Sequence, residues 1–146
     1  MTDAIRLDQA LARKAAQLLD GGVDAELRTR MRALPVMVQT SGLAATAAFL
    51  LARRKTKDGT DPYDRTARLI LNDAAEAAGI EPRSDDPERL LAQVAGASPA
   101  KYLLAESRAR QLAIWLARLA QAFAERSKPE RSRPESSQQP PADGAG

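Results

Sequence analysis

Basic side chains are the residues of this chain whose types and spacing best suit chemistry. The densest group is Arg53, Arg54, Lys55 and Lys57, which follows an apolar run ending at Leu51. The dipole at a helix C-terminus stabilises cations by about 0.3–1 kcal/mol each, which accounts for two of these four residues. A basic loop is also a good binder of phosphate. Both interpretations stay open, and the first three of these residues become candidate contacts for a nucleic-acid backbone.

A second basic group is spaced so that it shares one face of a C-terminal helix. At about 100° per residue, that face collects Lys101, Arg108, Gln111, Trp115, Arg118 and Arg126. Arginines supply phosphate contacts and an indole offers a stacking surface for a base. The alternative is that Trp115 packs against a neighbouring helix and the arginines form a solvated face. A third set is weaker, because Arg28, Arg30 and Arg32 alternate and would point in three directions on a helix.

Chemistry other than binding finds little support in the composition. The chain has no cysteine and no histidine, which removes disulfides, zinc–thiolate sites and the commonest general acid or base. Serine and threonine lack a histidine partner, no glycine-rich phosphate loop is present, and Asp73 and Glu76 form an acidic pair with no sign of enclosure. We predict that the protein is not an enzyme and has no catalytic residue, metal site or cofactor. The formal charge of +3 indicates a nucleic-acid partner only weakly.

The elements that must position these groups are helical. Alanine and leucine dominate and aromatic residues are 3% of the chain, which favours an all-α bundle of about six helices. They are predicted over residues 3–20, 24–39 with a kink at Pro35, 43–54, 61–79, 86–95 and 98–126. A single domain is predicted over residues 1–127. Residues 128–146 are rich in proline and serine, lack large apolar side chains, and are predicted to be a disordered tail. No secretory signal pattern is present, so a cytoplasmic location is expected.

The last helix has a predicted buried seam and a second possible use. Residues spaced by three and four along it are Tyr102, Ala105, Ala109, Leu112, Leu116, Leu119 and Phe123. Residues 91–99, with Gly96 and Ser98, also look like the turn of a helix-turn-helix that would present this helix to DNA. Against that, the helix is unusually long for a reader, and its first turn offers only Lys101 and Tyr102 to base edges.

Two blocks of the sequence resemble a known family. The pattern Leu-Pro-Val-Met-x-x-x-x-Gly-Leu at Leu34 to Leu43, followed by Ala-Phe-Leu, is similar to the small all-helical subunit of the type III-B CRISPR effector, the Cmr RNA-targeting complex. The block from Tyr102 through Trp115-Leu116-Ala117-Arg118 to Ala122 resembles the C-terminal helix of that family. The family usually has asparagine where Ser41 stands here.

The resemblance implies a non-catalytic subunit in antiviral defence. Copies would stack head to tail beside the other Cmr subunits and contact the backbone of guide RNA and target RNA, with no membrane involved. The implied RNA-binding residues are Arg53, Arg54, Lys55, Arg108, Trp115 and Arg118, with Gln39 and Ser41 as weaker candidates. Ile114 lies off the seam and is a candidate protein interface. Reversing Arg108 and Arg118 to glutamate is expected to weaken RNA retention and leave the fold intact. A helical adaptor that touches only protein stays open as a third class.

Overall fold

Six α-helices form the part of the chain that the computed structural model describes, which is the backbone of residues 2–137 and the side chains of residues 6–124. They are α1 (Thr2–Leu18), α2 (Ala25–Ser41), α3 (Leu43–Arg53), α4 (Pro62–Ala77), α5 (Pro87–Ala95) and α6 (Pro99–Ser137), with a short 3-10 helix at Leu19–Gly21 after α1. The described backbone contains no strand. The predicted all-α architecture is therefore confirmed.

Aspartates cap three of the helices, as their positions in the sequence predict. The side chain of Asp24 accepts a hydrogen bond from the Leu27 amide (2.7 Å), and Asp86 accepts one from the Arg89 amide (3.3 Å). Asp61 accepts from the amides of Tyr63 and Asp64 at the start of α4. These bonds satisfy amides that have no partner inside the helix, and they fix where each helix begins.

Helix α3 is capped by a different device, which positions α2, α3 and α6 together. The chain turns at Gly42 (φ +93°, ψ 167°), a backbone conformation that glycine alone adopts freely. Gly42 has no side chain to cap α3. Instead the Leu43 amide donates to the Glu106 carboxylate (2.9 Å) and the Ala44 amide donates to the Tyr102 hydroxyl (2.9 Å). The N-terminus of α3 is thus held by side chains of α6.

Helix α6 is the central packing element. Its Glu106 lies near the end of α2, while Arg32 earlier in α2 donates to Gln121 further along α6 (3.4 Å), so the two helices run antiparallel. Helices α1 and α4 pack against other sides of α6. The predicted seam is confirmed at Ala105, Ala109, Leu112 and Leu116, all fully buried; Tyr102, Leu119 and Phe123 are half-buried. Ala113 and Ala120 are also buried, because small side chains let neighbouring helices approach closely.

The C-terminal predictions reach the limit of what is described. The backbone of α6 continues to Ser137, beyond the helix end predicted near Arg126. The side chains of the predicted tail, residues 128–146, lie outside the described residues, and so does the backbone of residues 138–146.

Helix α2 passes through Pro35 without interruption. In the described part of the chain, no helix is both long and apolar enough to span a bilayer.

Candidate functional site

The basic group at the end of α3 is divided by the fold, and Arg54 turns inward. Its side chain is only 6% exposed, and it donates to the fully buried Asp64 (2.9 Å) and pairs with Glu88 of α5. Asp64 also accepts from Arg68 one turn along α4 (2.6 Å). The charge of Arg54 is therefore neutralised inside the molecule, and this placement does not fit the prediction that it binds phosphate.

The ionisation of this group supports a structural role. Burial on its own would raise the pKa of Asp64, but hydrogen bonds from Arg68 and Arg54 outweigh it and hold that pKa below its ordinary value. Burial likewise disfavours the charged form of Arg54, whereas Asp64 and Glu88 favour it and raise its pKa overall. Both partners are charged, and the ion pairs tie α3 to α4 and α5.

Arg53 has the opposite orientation and is exposed. Its guanidinium carbon lies 4.7 Å from the centre of the Phe49 ring, and that of Arg30, on α2, lies 5.7 Å from the same ring. Lys55 is exposed as well, while its backbone amide donates to Asp61 (2.9 Å) and so fastens the start of the loop. The structure thus brings Arg53 together with Arg30, which the sequence did not predict to be part of a basic patch.

The predicted strip on α6 is also divided. Arg108 forms two hydrogen bonds with Asp73 (2.9 and 3.2 Å), whose side chain is 1% exposed and also accepts from Lys14 of α1 (2.6 Å). Trp115 is half-buried against the core, and its indole N–H donates to Asp8 (3.1 Å). For Trp115 the packing alternative therefore describes the structure better than the stacking surface. Arg108 links α6 to α4, so its charge is also committed to the fold.

The remaining predicted residues lie on the surface. Arg118 is exposed and lines an open groove of about 710 Å³ together with Ile114 and Trp115 of α6 and Leu7 of α1. Ile114 itself is 37% exposed. Gln39 and Ser41 are exposed near the end of α2. Arg53, Lys55 and Arg118 belong to different elements, namely the end of α3, the loop that follows it, and α6.

The DNA-reading alternative is not favoured by the start of α6. Its first turns expose Leu103 (65%) and Leu104 (56%), whereas a recognition helix needs polar side chains there to reach base edges. Lys101 instead lines an open depression that Arg83 of the α4–α5 loop and Gln93 of α5 also line. Within the described residues, no group of three or more acidic side chains could hold a metal ion.

Comparison with known proteins identifies the family. The sequence model of the family described as CRISPR-associated protein (Cas_Cmr5) matches residues 6–123, which include almost the whole described helical part. The chain therefore belongs to this family, the small subunit of type III-B Cmr complexes, and the resemblance of the two sequence blocks is confirmed. Members of the family are in general non-catalytic. No curated protein and no solved structure matches the chain significantly.

Proposed function

We propose that this chain is the non-catalytic small subunit of a type III-B CRISPR ribonucleoprotein and that it contacts the guide–target RNA through the RNA backbone. The observation that carries the proposal is the family match over residues 6–123. Cutting chemistry then belongs to other subunits. Since base pairing with the guide supplies sequence specificity, this subunit needs only phosphate and shape contacts.

The charges on the surface are consistent with such contacts. Of the predicted RNA-binding cations, Arg53, Lys55 and Arg118 are exposed and form no ion pair with a described side chain. Gln39 and Ser41 are exposed polar groups that can add weaker contacts. Arg54, Arg108 and Trp115 are left out of the proposed interface because the fold uses their polar groups. Contacts made by exposed cations weaken as salt concentration rises, so RNA retention by this subunit should depend on salt.

Exposed apolar side chains support the proposed stacking of copies. Leu103 and Ile114 of α6 are eleven residues apart, which places them within about 20° of each other around the helix. Val36 is exposed on α2, the helix that packs along α6. Large apolar side chains that share one exposed face of a helix, as Leu103 and Ile114 do, can belong to a surface that contacts another protein. We assign the exposed face of α6 that carries Leu103 and Ile114 to contact with a neighbouring subunit of the complex. The complex would be located in the cytoplasm.

The experiment that tests the proposed function is co-purification of the tagged chain from its native cell, with sequencing of the bound RNA and identification of partner proteins. Recovery of repeat–spacer guide RNA with large effector subunits supports the proposal. Recovery of protein partners without nucleic acid would replace it with the helical-adaptor interpretation. Recovery of promoter DNA would replace it with the DNA-binding interpretation.

A further inference from the structure

Two arginines from different helices share one aromatic ring on the surface of this protein. The guanidinium carbons of Arg30 and Arg53 lie 5.7 and 4.7 Å from the centre of the Phe49 ring. The two guanidinium carbons therefore lie within about 10 Å of each other. Within the described side chains, neither guanidinium forms an ion pair with a carboxylate. Two like charges beside one ring, neither of them in an ion pair with a described side chain, create a local positive potential.

The immediate surroundings of Arg30 hold it in place without an ion pair to a described side chain. Burial raises the pKa of the Tyr63 hydroxyl, Glu26 raises it further, and Arg30 lowers it, which places Arg30 beside that hydroxyl. Tyr63 donates a hydrogen bond to Glu26 (3.0 Å), which keeps its negative charge but forms no ion pair with Arg30 within the described side chains. The Nε atom of Arg30 is buried and has no hydrogen-bond partner among the residues that the structure describes. Buried donors normally have a partner. The Arg30 side chain is therefore positioned by the Tyr63 hydroxyl and by packing on the Phe49 ring, and its Nε–H is left over.

This arrangement suits a phosphate group. A guanidinium fork matches the geometry of phosphate oxygens, and contact with a ring orders the fork before a ligand arrives, which reduces the entropy lost on binding. A cation–π contact leaves the formal charge intact, so an anion can still pair with it. The phosphates of an RNA strand recur at short intervals, and two neighbouring guanidiniums can engage successive ones.

We propose that Arg30 and Arg53, ordered by the Phe49 ring, form the binding site on this subunit for the phosphodiester backbone of RNA. The inference rests on the proposed function and deepens it by assigning the contact to the α2–α3 side of the domain. Lys55, two residues after Arg53, extends the positive surface. Arg30 is the new element, because helix periodicity on its own separates it from the other arginines.

The test compares effector complexes captured from cells that express the full-length chain as wild type, R53Q or R30Q/R53Q. Binding of a labelled RNA complementary to the guide is measured between 50 and 200 mM salt. R30Q/R53Q is expected to weaken binding about tenfold at the lower salt and to reduce the slope of log K against log salt by about 1–2, because each lost phosphate contact removes close to one unit. R53Q is expected to have about a third of that effect on log K.

The matched control is R83Q/R89Q, which removes the same formal charge from two exposed arginines whose described hydrogen bonds involve only their backbone amides. It should bind like wild type. R53K tests the fork, since lysine keeps the charge but binds as a point charge; it is expected to lie between wild type and R53Q. Because Arg53 is exposed, R53Q and R53K keep the test valid even if R30Q/R53Q unfolds.

The outcomes separate this inference from the proposed function. In one outcome, the R53Q and R30Q/R53Q complexes both contain guide RNA and bind target RNA with unchanged affinity and salt slope. This result would contradict the Arg30–Arg53 binding site and leave the proposed function standing. A folded R30Q/R53Q chain that loses partner proteins while RNA binding is unaffected would make the pair a protein contact. Wild-type complexes without any RNA would overturn both.

Discussion

At the scale of single residues, buried carboxylates decide what the basic side chains can do. Asp64 and Asp73 are almost completely removed from solvent, and each draws two cations towards it. A buried charge is tolerated only when it is paired, so these cations are committed to the fold. The arginines outside the reach of these two acids are the ones left for a ligand.

The pair formed by Asp64 and Arg54 predicts a large and pH-dependent effect of one substitution. Asp64→Asn leaves the 6%-exposed Arg54 side chain without its buried carboxylate, and we expect the free energy of unfolding at pH 7 to fall by about 3–5 kcal/mol. Urea unfolding monitored by circular dichroism measures it. Asp85→Asn, at an exposed carboxylate, is the control and should change stability little.

The sign of the pH dependence follows from the lowered pKa of Asp64. A carboxyl whose pKa is lower in the folded state stabilises the fold above its ordinary pKa near 3.8, and this stabilisation is lost as pH falls through the lowered value. Asp58 acts in the same direction, because hydrogen bonds from Thr60 and Thr56 lower its pKa to about 2. Wild type should lose stability below about pH 4, and Asp64→Asn should lose less. Equal losses would contradict the assignment.

Arg108 and Arg118 are predicted to respond differently to the same change. Arg108→Glu places a carboxylate against Asp73, so we expect a loss of about 3 kcal/mol in unfolding free energy and a clearly lower melting temperature. Arg118 is exposed, so Arg118→Glu should change the unfolding free energy by no more than about 0.5 kcal/mol. Thermal melts of both variants measure this. A stable Arg108→Glu protein would restore the simpler expectation that both arginines belong to a solvated binding face.

At the scale of elements, the junction between α2 and α3 depends on α6. Gly42 needs a backbone conformation that other residues avoid, and a Cβ at this position would lie 3.0 Å from the Glu106 carboxylate that caps α3. A side chain here therefore adds backbone strain and also disturbs the cap. The junction is a local turn whose stability is set by a helix more than sixty residues away.

Gly42→Ala is predicted to destabilise the fold more than a matched substitution at Gly22. Gly22 has a similar backbone conformation (φ +114°, ψ 157°) but open space around its Cβ position. Strain alone should cost about 1–3 kcal/mol at either site, and displacement of the Glu106 cap should add about 1 kcal/mol at Gly42. Chemical denaturation of the two variants measures the difference. Equal losses would mean that the α6 cap contributes little.

At the scale of the whole molecule, internal ion pairs join the helices to one another, while other apolar and basic side chains remain exposed on the surface. Lys14–Asp73–Arg108 joins α1, α4 and α6, and Arg54–Asp64 joins α3 to α4. The exposed apolar groups lie on α2 and α6, whereas the Arg30–Arg53 pair joins the first half of α2 to the end of α3. We therefore expect that the proposed protein contact and the proposed RNA contact can be altered separately.

The proposed subunit contact predicts the behaviour of a double variant. Leu103→Asp with Ile114→Asp introduces two charges on the exposed face of α6, where burial against a neighbour would leave them unpaired. We expect the purified chain to fold normally but its recovery in the effector complex to fall at least tenfold. Quantitative mass spectrometry of the captured complex measures this, with Gln17→Asp, an exposed position on α1, as the control. Normal recovery of the double variant would remove this face from the interface.

The sequence by itself determined the elements and the class of chemistry. Aspartate–proline pairs and glycines marked helix starts and ends, spacing by three and four residues identified the buried side of α6, and the missing histidine and cysteine excluded whole classes of site. These features are local or compositional, so they can be read without a fold. The blocks at residues 34–51 and 102–122 carried the family.

Only the tertiary structure decided which cations face outward. Periodicity gives the direction of a side chain around its own helix but not the neighbour it meets there. The partners of Arg108 and Trp115 lie 35 and 107 residues away in the chain, and Arg30 meets Arg53 only because α2 and α3 fold against each other around Phe49. Burial of a carboxylate is a property of the packed bundle, and the cost of leaving that charge unpaired determines which arginines the fold retains.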